Sequence, residues 1–453
     1  MFLDGFIHIQ KLPKQAQWLI RKYLLIYLLN SLVLNLASTF YILFVISKIE
    51  FAKAGVIISI MLLVQLVSDY PSGSLGDWIG QRWVLATAYF LYGSAYFILF
   101  FAESFADFVI ISLIFGLGNA QASGTITSWR DNNYQKLVSK DLDPERKNYG
   151  FTLTRVDSLN MITLALTFII GGFMATLISR EFVFLLQSVL CIFTVLIILI
   201  ILQDVKTDYV IKDKKKVING EYFHYLKGGI EFLISNRTVF LFIIGISIYT
   251  VTWTIWGSLI LFPLYFGYSG SDSIAGILRT IIYVNGVAAR IYIVSYLGRR
   301  FSIDKIPHLL LLHLLFFFPG FIILLYFVPV NNSFNLLGFV LIIIFQNILI
   351  SIILGIEGVL RQRFMLDLIP AENRNAVYSL IPTLIALFSI PIMPVAGWLI
   401  DAYGLSAGLM LAFGTALLGT IFIGLALYLR NKTLKSSLKS VITTDREGIA
   451  VVT

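Results

Sequence analysis

Charge is what this chain has least of. Asp, Glu, Lys and Arg together make up 13% of its 453 residues, against 58% hydrophobic ones. A soluble domain carries about a quarter charged residues, so water is excluded as the main solvent of this chain. Cysteine is nearly missing: Cys191 stands alone in an apolar run, with no partner for a disulfide or a thiolate metal site. The four histidines, His8, His224, His308 and His313, lack metal-ligand spacing, and His313 reads as a hydrogen-bonded structural residue. No GxxxxGK loop offers a phosphate cradle, and no nucleophile–base cluster is present. We therefore expect no metal, no cofactor, no ATP and no enzyme.

What the chain does have is long apolar runs and a mean hydropathy of +0.87. A helix needs about 20 apolar residues to cross a hydrocarbon layer roughly 30 Å thick. Runs of that kind recur near 23–46, 54–73, 83–101, 108–129, 150–178, 182–202, 239–267, 273–297, 307–328, 334–360, 376–400 and 405–429. They are continuous instead of alternating with period two, so they predict helices and not barrel strands.

The positive charges orient these spans, because Lys and Arg in short loops stay on the cytoplasmic side. With the N-terminus inside, 28 of the 34 basic residues fall in inner segments. Only Lys48, Lys53 and Arg180 fall outside, and Arg155, Arg279 and Arg290 lie within spans. The net charge of +9 is thus a topology signal and gives no support to nucleic-acid binding. The first apolar run is too long for a signal-peptide core and is expected to remain as a span. The expected fold class is an all-α membrane protein of twelve transmembrane helices, with both termini cytoplasmic.

The longest polar stretch separates spans six and seven and contains Lys212, Lys214, Lys215 and Lys216. It predicts four regions: a six-helix bundle over 1–204, a cytoplasmic linker over 205–236, a second six-helix bundle over 237–430 and a tail over 431–453. Residues 222–236 have enough periodicity for an amphipathic surface helix, a plain linker being the alternative. The tail reads as polar and disordered. Two bundles of six suggest duplication, and the turn after each half's second span keeps a trace of it. The first reads Asp77-Trp-Ile-Gly80-Gln-Arg82, the second Ser295-Tyr-Leu-Gly298-Arg-Arg300.

The first of these turns, GSLGDWIGQRWVL from Gly73 to Leu85, resembles motif A of the major facilitator superfamily, with Gly73, Leu75, Asp77, Gly80, Arg82 and Leu85 matching. The resemblance implies two pseudo-symmetric bundles around one midplane cavity. It also implies an inner gate in which Asp77 opposes the start of span eleven, near Asn373–Ala376, and Arg82 pairs with Asp131. Independently of the family, Gly80 permits a tight turn, and a carboxylate suits the positive end of a helix. The same groups could also merely secure the turn.

Ionisable groups within the spans are candidates for function because hydrocarbon makes them costly. Asp69 lies about 12 Å deeper than Asp77 and could carry a coupling proton, or be fixed in an ion pair with Arg155. Arg279 and Arg290 share one face of span eight with Tyr283 and Gly286, where two guanidinium forks would suit a carboxylate or phosphate. Neutralising a nearby acid is the alternative. Asp157 and Glu357 are further candidates, Glu357 having Arg361 one turn on in what reads as an interfacial pair.

By the resemblance, spans one, four, seven and ten line the cavity. Their polar and aromatic residues include Asn30, Asn119, Tyr249, Trp253, Trp256, Gln346 and Asn347. This set suits an amphipathic or weakly polar small molecule, although the aromatic stripe could equally be helix packing. The expectation is a monomeric, multi-pass plasma-membrane protein in the lipid bilayer that moves a small molecule by alternating access, with proton-coupled efflux first. Alternatives are an organic-anion importer or exchanger using Arg279 and Arg290, and a non-transporting receptor or lipid scramblase on the same fold.

Overall fold

The computed structural model describes residues 2–139, 141–143, 146–203, 230–289, 300–327 and 336–450; within these, the side chains of 2–3, 70–78, 289, 336–337, 371–376, 379 and 434–450 are outside the description. Helix dominates and no strand occurs among the described residues. In chain order the helices are α1 Phe2–Phe6, α2 Lys14–Asn35, α3 Tyr41–Ile79, α4 Gln81–Phe101, α5 Phe105–Ala122, α6 Thr125–Leu137, α7 Lys147–Leu177 and α8 Arg180–Ile201. From residue 237 onward come α9 Arg237–Ile255, α10 Leu261–Ser269, α11 Asp272–Ala289, α12 Ile306–Phe327, α13 Leu336–Leu368, α14 Ala371–Tyr403 and α15 Leu405–Ala450.

Ten described segments are long and apolar enough to cross a membrane. The expected first and eighth spans are not among them. Their places are held by α2 with the start of α3, and by α11, beyond which 290–299 lie outside the described residues. Large side chains such as Leu177, Ile200 and Phe327 stand exposed on the outer faces, as lipid contact requires.

Local chemistry sets several helix ends. Ser104 and Asp107 form a reciprocal capping box at the start of α5, the Ser179 hydroxyl accepts from Phe182 N–H at α8, and the Asn236 side chain accepts from Val239 N–H at α9. Gly80 and Gly404 end α3 and α14 with φ of +97° and +81°, a region open mainly to glycine. Within α3, Glu50 has φ +66° and ψ 167°, so the helix is two pieces joined by a sharp turn, and the second span begins at Phe51.

Several expectations need correction. Span one, expected to be continuous over 23–46, stops at Asn35 and resumes at Tyr41. There the Asn35 amide donates to Ser31 O and the Ser38 hydroxyl to Asn35 O, so side chains compete with the helical ladder. Span four, expected over 108–129, breaks at Ser123–Gly124, where Gly124 adopts φ +69°. Span seven holds a π-helical turn at Trp256–Ile260. The tail is not irregular: α15 runs on to Ala450, because neither Pro nor Gly interrupts it between Gly424 and Gly448. Cys191 is fully buried against Gly93. Of the expected surface helix, 222–229 lie outside the described residues, and helix is present from 230 to 235.

The helices of the first half, α1 to α8, and those of the second, α9 to α15, meet along two seams. The second span, in α3, packs antiparallel on α14, and α7 packs on α11. Glycines let the backbones touch: a methyl on Gly172 would stand 2.5 Å from the Asp272 carbonyl oxygen, and one on Gly397 would stand 2.7 Å from the Phe51 carbonyl carbon. Gly276 meets Phe168 and Gly55 meets Met393 in the same way.

Candidate functional site

Both seams are fastened toward one end of the molecule. The Asp401 carboxylate accepts from the backbone N–H of Phe51 at 3.1 Å and of Ala52 at 2.6 Å. Arg180 forms a two-pronged ion pair with Asp272 at 2.8 and 2.9 Å, Asp272 being 7% exposed. Hydrogen bonds from Ser59 to Ile390 O, Ser273 N to Thr176 Oγ1 and Thr280 to Ala165 O continue the closure inward. Sequence reading missed Asp272 and Asp401 and left Arg180 as an ordinary loop cation. The partners of Asp401 are backbone amides about 350 positions away, which no local pattern reports.

Toward the other end lies a cavity of about 950 Å³, walled chiefly by helices of the second half with Met161 of α7 facing them, and reaching Arg361, Gln362 and Tyr378. Its walls include Met161, Tyr249, Trp253, Arg279, Tyr283, Gly286, Asn347, Ser351 and Glu357. A second space of about 270 Å³ continues from it past Trp253, Trp256, Gln346 and Asn347, and shares Arg279. A third, of about 380 Å³, carries Ser38, Tyr41 and Asn119.

Arg279 is the central feature. Its guanidinium lies 5.7 Å from the Phe168 ring centre and 5.9 Å from those of Phe262 and Tyr283, and its Nε is buried with no hydrogen-bond partner. Glu357 is 4% exposed and sits 3.7 Å from Arg361, so this pair belongs to the cavity wall and not to a wet interface as expected. The helix carries both groups inward because Asn347, Ser351, Leu354, Glu357 and Arg361 recur at three- to four-residue spacing on the one face of α13 that lines the cavity.

The aromatic stripe serves packing and lining together. Trp256 packs on Phe317 and Phe321, and Trp253 leans on His313 and Phe317, yet both open onto cavities. His313 is fully buried, with Nδ1 2.7 Å from the Tyr249 hydroxyl, which is the structural role its position suggested. Asn119 accepts from Tyr92, while Asn30 accepts from Tyr89 and lines none of the three spaces.

The remaining sites are arranged differently from expectation. Asp69 is hydrogen-bonded to Ser123, and Arg155 lies over the rings of Phe6 and Phe151, so these two do not pair. Asp157 stands beside the Tyr27 hydroxyl. Asp131 pairs with Arg130 at 2.8 Å and takes the Tyr149 hydroxyl, in place of Arg82, whose Nε is buried without a partner. Arg130 is adjacent in sequence and shielded by Tyr23 and Tyr149, which makes it the nearer cation. The surroundings of Gly73, the side chains of Leu75 and Asp77, and all of Arg290 lie outside the description.

Two bundles, two seams and a cavity between them are the anatomy of a carrier. The sequence profile described as Major Facilitator Superfamily matches residues 23–390. The chain belongs to that superfamily. It is therefore a multi-pass integral membrane transporter and not an enzyme. Solved structures of the nucleoside transporter NupG share the fold, with a TM-score of 0.64, 15% identity and coverage of 91% of this chain and 98% of that one. A point mutant of NupG gives the same TM-score and coverage at 12% identity. No curated protein matches the sequence.

Proposed function

We propose that this transporter exports, in exchange for protons, a small amphipathic molecule that carries an anionic or strongly accepting group. Arg279 carries the reading: a guanidinium shared by two cavities, ringed by aromatics, with its Nε unpartnered. Desolvation of such a group is costly, and a carboxylate or phosphate oxygen on a substrate would offset it. Trp253 and Tyr249 offer flat apolar faces to the rest of the molecule, and Asn347 and Gln346 offer amide hydrogen bonds. Glu357, in the same cavity and loosely held by Arg361, is the candidate proton carrier, since protonation would release Arg361 and alter the field at Arg279.

The charge distribution supports a cytoplasmic cavity mouth, and on that reading this conformation would load from within. The seams support alternating access, in which the fastened end would open as the other closes around bound substrate. Twelve spans, both termini inside and the plasma membrane complete the reading. A nucleoside, the cargo in the NupG name, is the second reading. Its base would stack on Trp253, and its ribose would use Asn347 and Gln346.

Flux into proteoliposomes decides between them, with labelled aromatic carboxylates and uridine tested with and without a pH gradient. Arg279→Gln should lower carboxylate flux more than tenfold and Arg279→Lys less, while uridine flux should depend weakly on either. Carboxylate flux that Arg279→Gln leaves unchanged would overturn the anion reading.

A further inference from the structure

The eight residues that end α14, Gly397-Trp-Leu399-Ile-Asp401-Ala-Tyr-Gly404, repeat the spacing of Gly73-Ser-Leu75-Gly-Asp77-Trp-Ile-Gly80, which ends α3. Both follow Gly-x-Leu-x-Asp-x-x-Gly, and the final glycine ends the helix at positive φ in each, +97° at Gly80 and +81° at Gly404. The two helices are antiparallel partners in one seam, so the C-terminal end of each lies beside the N-terminal end of the other. At the fastened end this placement is seen in full. The helix piece starting at Phe51 has N–H groups with no intrahelical acceptor, and the Asp401 carboxylate takes two of them. Gly397 is what allows the approach, since a side chain there would meet the backbone of Phe51 and Ala52.

We propose that Asp401 is a positioning residue of the transport cycle, a latch that holds the α3·α14 seam shut at the end where Asp77 does not act. The repeat makes the seam reciprocal. Asp401 of α14 caps the start of the second span when one end is closed, and Asp77 of α3 caps the start of α14 when the other is closed. Each latch must let go before its counterpart can engage, so removing one favours the conformation held by the other. The proposal rests on the alternating-access reading.

Spin labels at Lys53 and Tyr403, both exposed and flanking the latch, report its opening as a distance distribution in nanodiscs; Cys191 is buried and does not compete for label. Losing two charge-assisted hydrogen bonds should raise the ratio of long to short distances about tenfold in Asp401→Asn. Asp77→Asn should lower that ratio, and the double variant should return toward wild type, which a merely structural role for Asp401 would not produce. A folded Asp401→Asn with the wild-type distribution, while Asp77→Asn still shifts it, overturns the latch. If Asp401→Asn does not fold, Asp401→Glu decides instead, because its longer carboxylate should widen the distribution partway, and an unchanged one again overturns the proposal. A distribution that no variant moves would instead remove the alternating-access reading.

Discussion

Gly172→Ala tests the seam between α7 and α11 directly. The added methyl would stand 2.5 Å from the Asp272 carbonyl oxygen, 3.1 Å from its carbon and 3.3 Å from Ser273 Cα. All three are backbone atoms, so none can rotate aside, and the start of α11 would have to retreat by about 1 Å to reach ordinary contact. That retreat lengthens the Ser273 N–Thr176 Oγ1 hydrogen bond, now 3.0 Å, and pulls Asp272 from Arg180. Overpacking of this kind costs about 1–3 kcal/mol, charged only to the closed form of this end. The ratio of closed to open should therefore fall between about fivefold and a hundredfold, at about 1.4 kcal/mol per decade. Flux in proteoliposomes should drop several-fold, and the melting temperature of the purified protein should fall. Gly414→Ala is the matched control: nothing lies within 4 Å of its new methyl, so the variant should gain about 0.4–1 kcal/mol and keep full flux. Wild-type flux and melting in Gly172→Ala would refute backbone contact as the closing element.

Three further outcomes can be checked. Tyr249→Phe removes the one hydrogen bond that the buried His313 ring makes among the described residues, its Nε2 having no partner there, and should cost about 1–3 kcal/mol in thermal unfolding; adding His313→Phe should recover most of it. Arg361→Ala strands the buried Glu357 carboxylate and should destabilise more than the Arg361→Ala/Glu357→Gln pair, so equal melting temperatures would show that the two do not interact. Gly124→Ala places a side chain at φ +69° with open space around it, so a loss of about 1 kcal/mol there would be pure backbone strain, and no loss would contradict the conformation.

The apolar runs located most helices, because in hydrocarbon a helix is the way a single segment satisfies its own backbone. Arg279 was legible as a candidate for the same reason, since an ionisable group in an apolar run is costly, whereas Trp253 and Asn347 were put on the cavity by the resemblance and Glu357 was expected at an interface. Interruptions within spans were not legible. The break after Asn35 depends on which acceptors its side chain and that of Ser38 reach, and a Leu-rich window hides that choice. Asp131 and Arg130 show another limit, since charge pairing was assigned by motif where a sequence neighbour offered a closer cation. Asp272, Arg180 and Asp401 escaped because their partners are remote in sequence, and only the folded seams bring them together.

The glycine contacts of the two seams bear on insulation as well as on closure. Where helix backbones touch with no side chain between them, as at Gly172 against Asp272 and Gly397 against Phe51, no gap the width of a water molecule remains at those points. A continuous file of water is what lets protons leak across a bilayer by hopping. A barrier made of backbone packed on backbone denies them that wire, so a cell could keep its ion gradients intact while the opposite mouth of the cavity stands open.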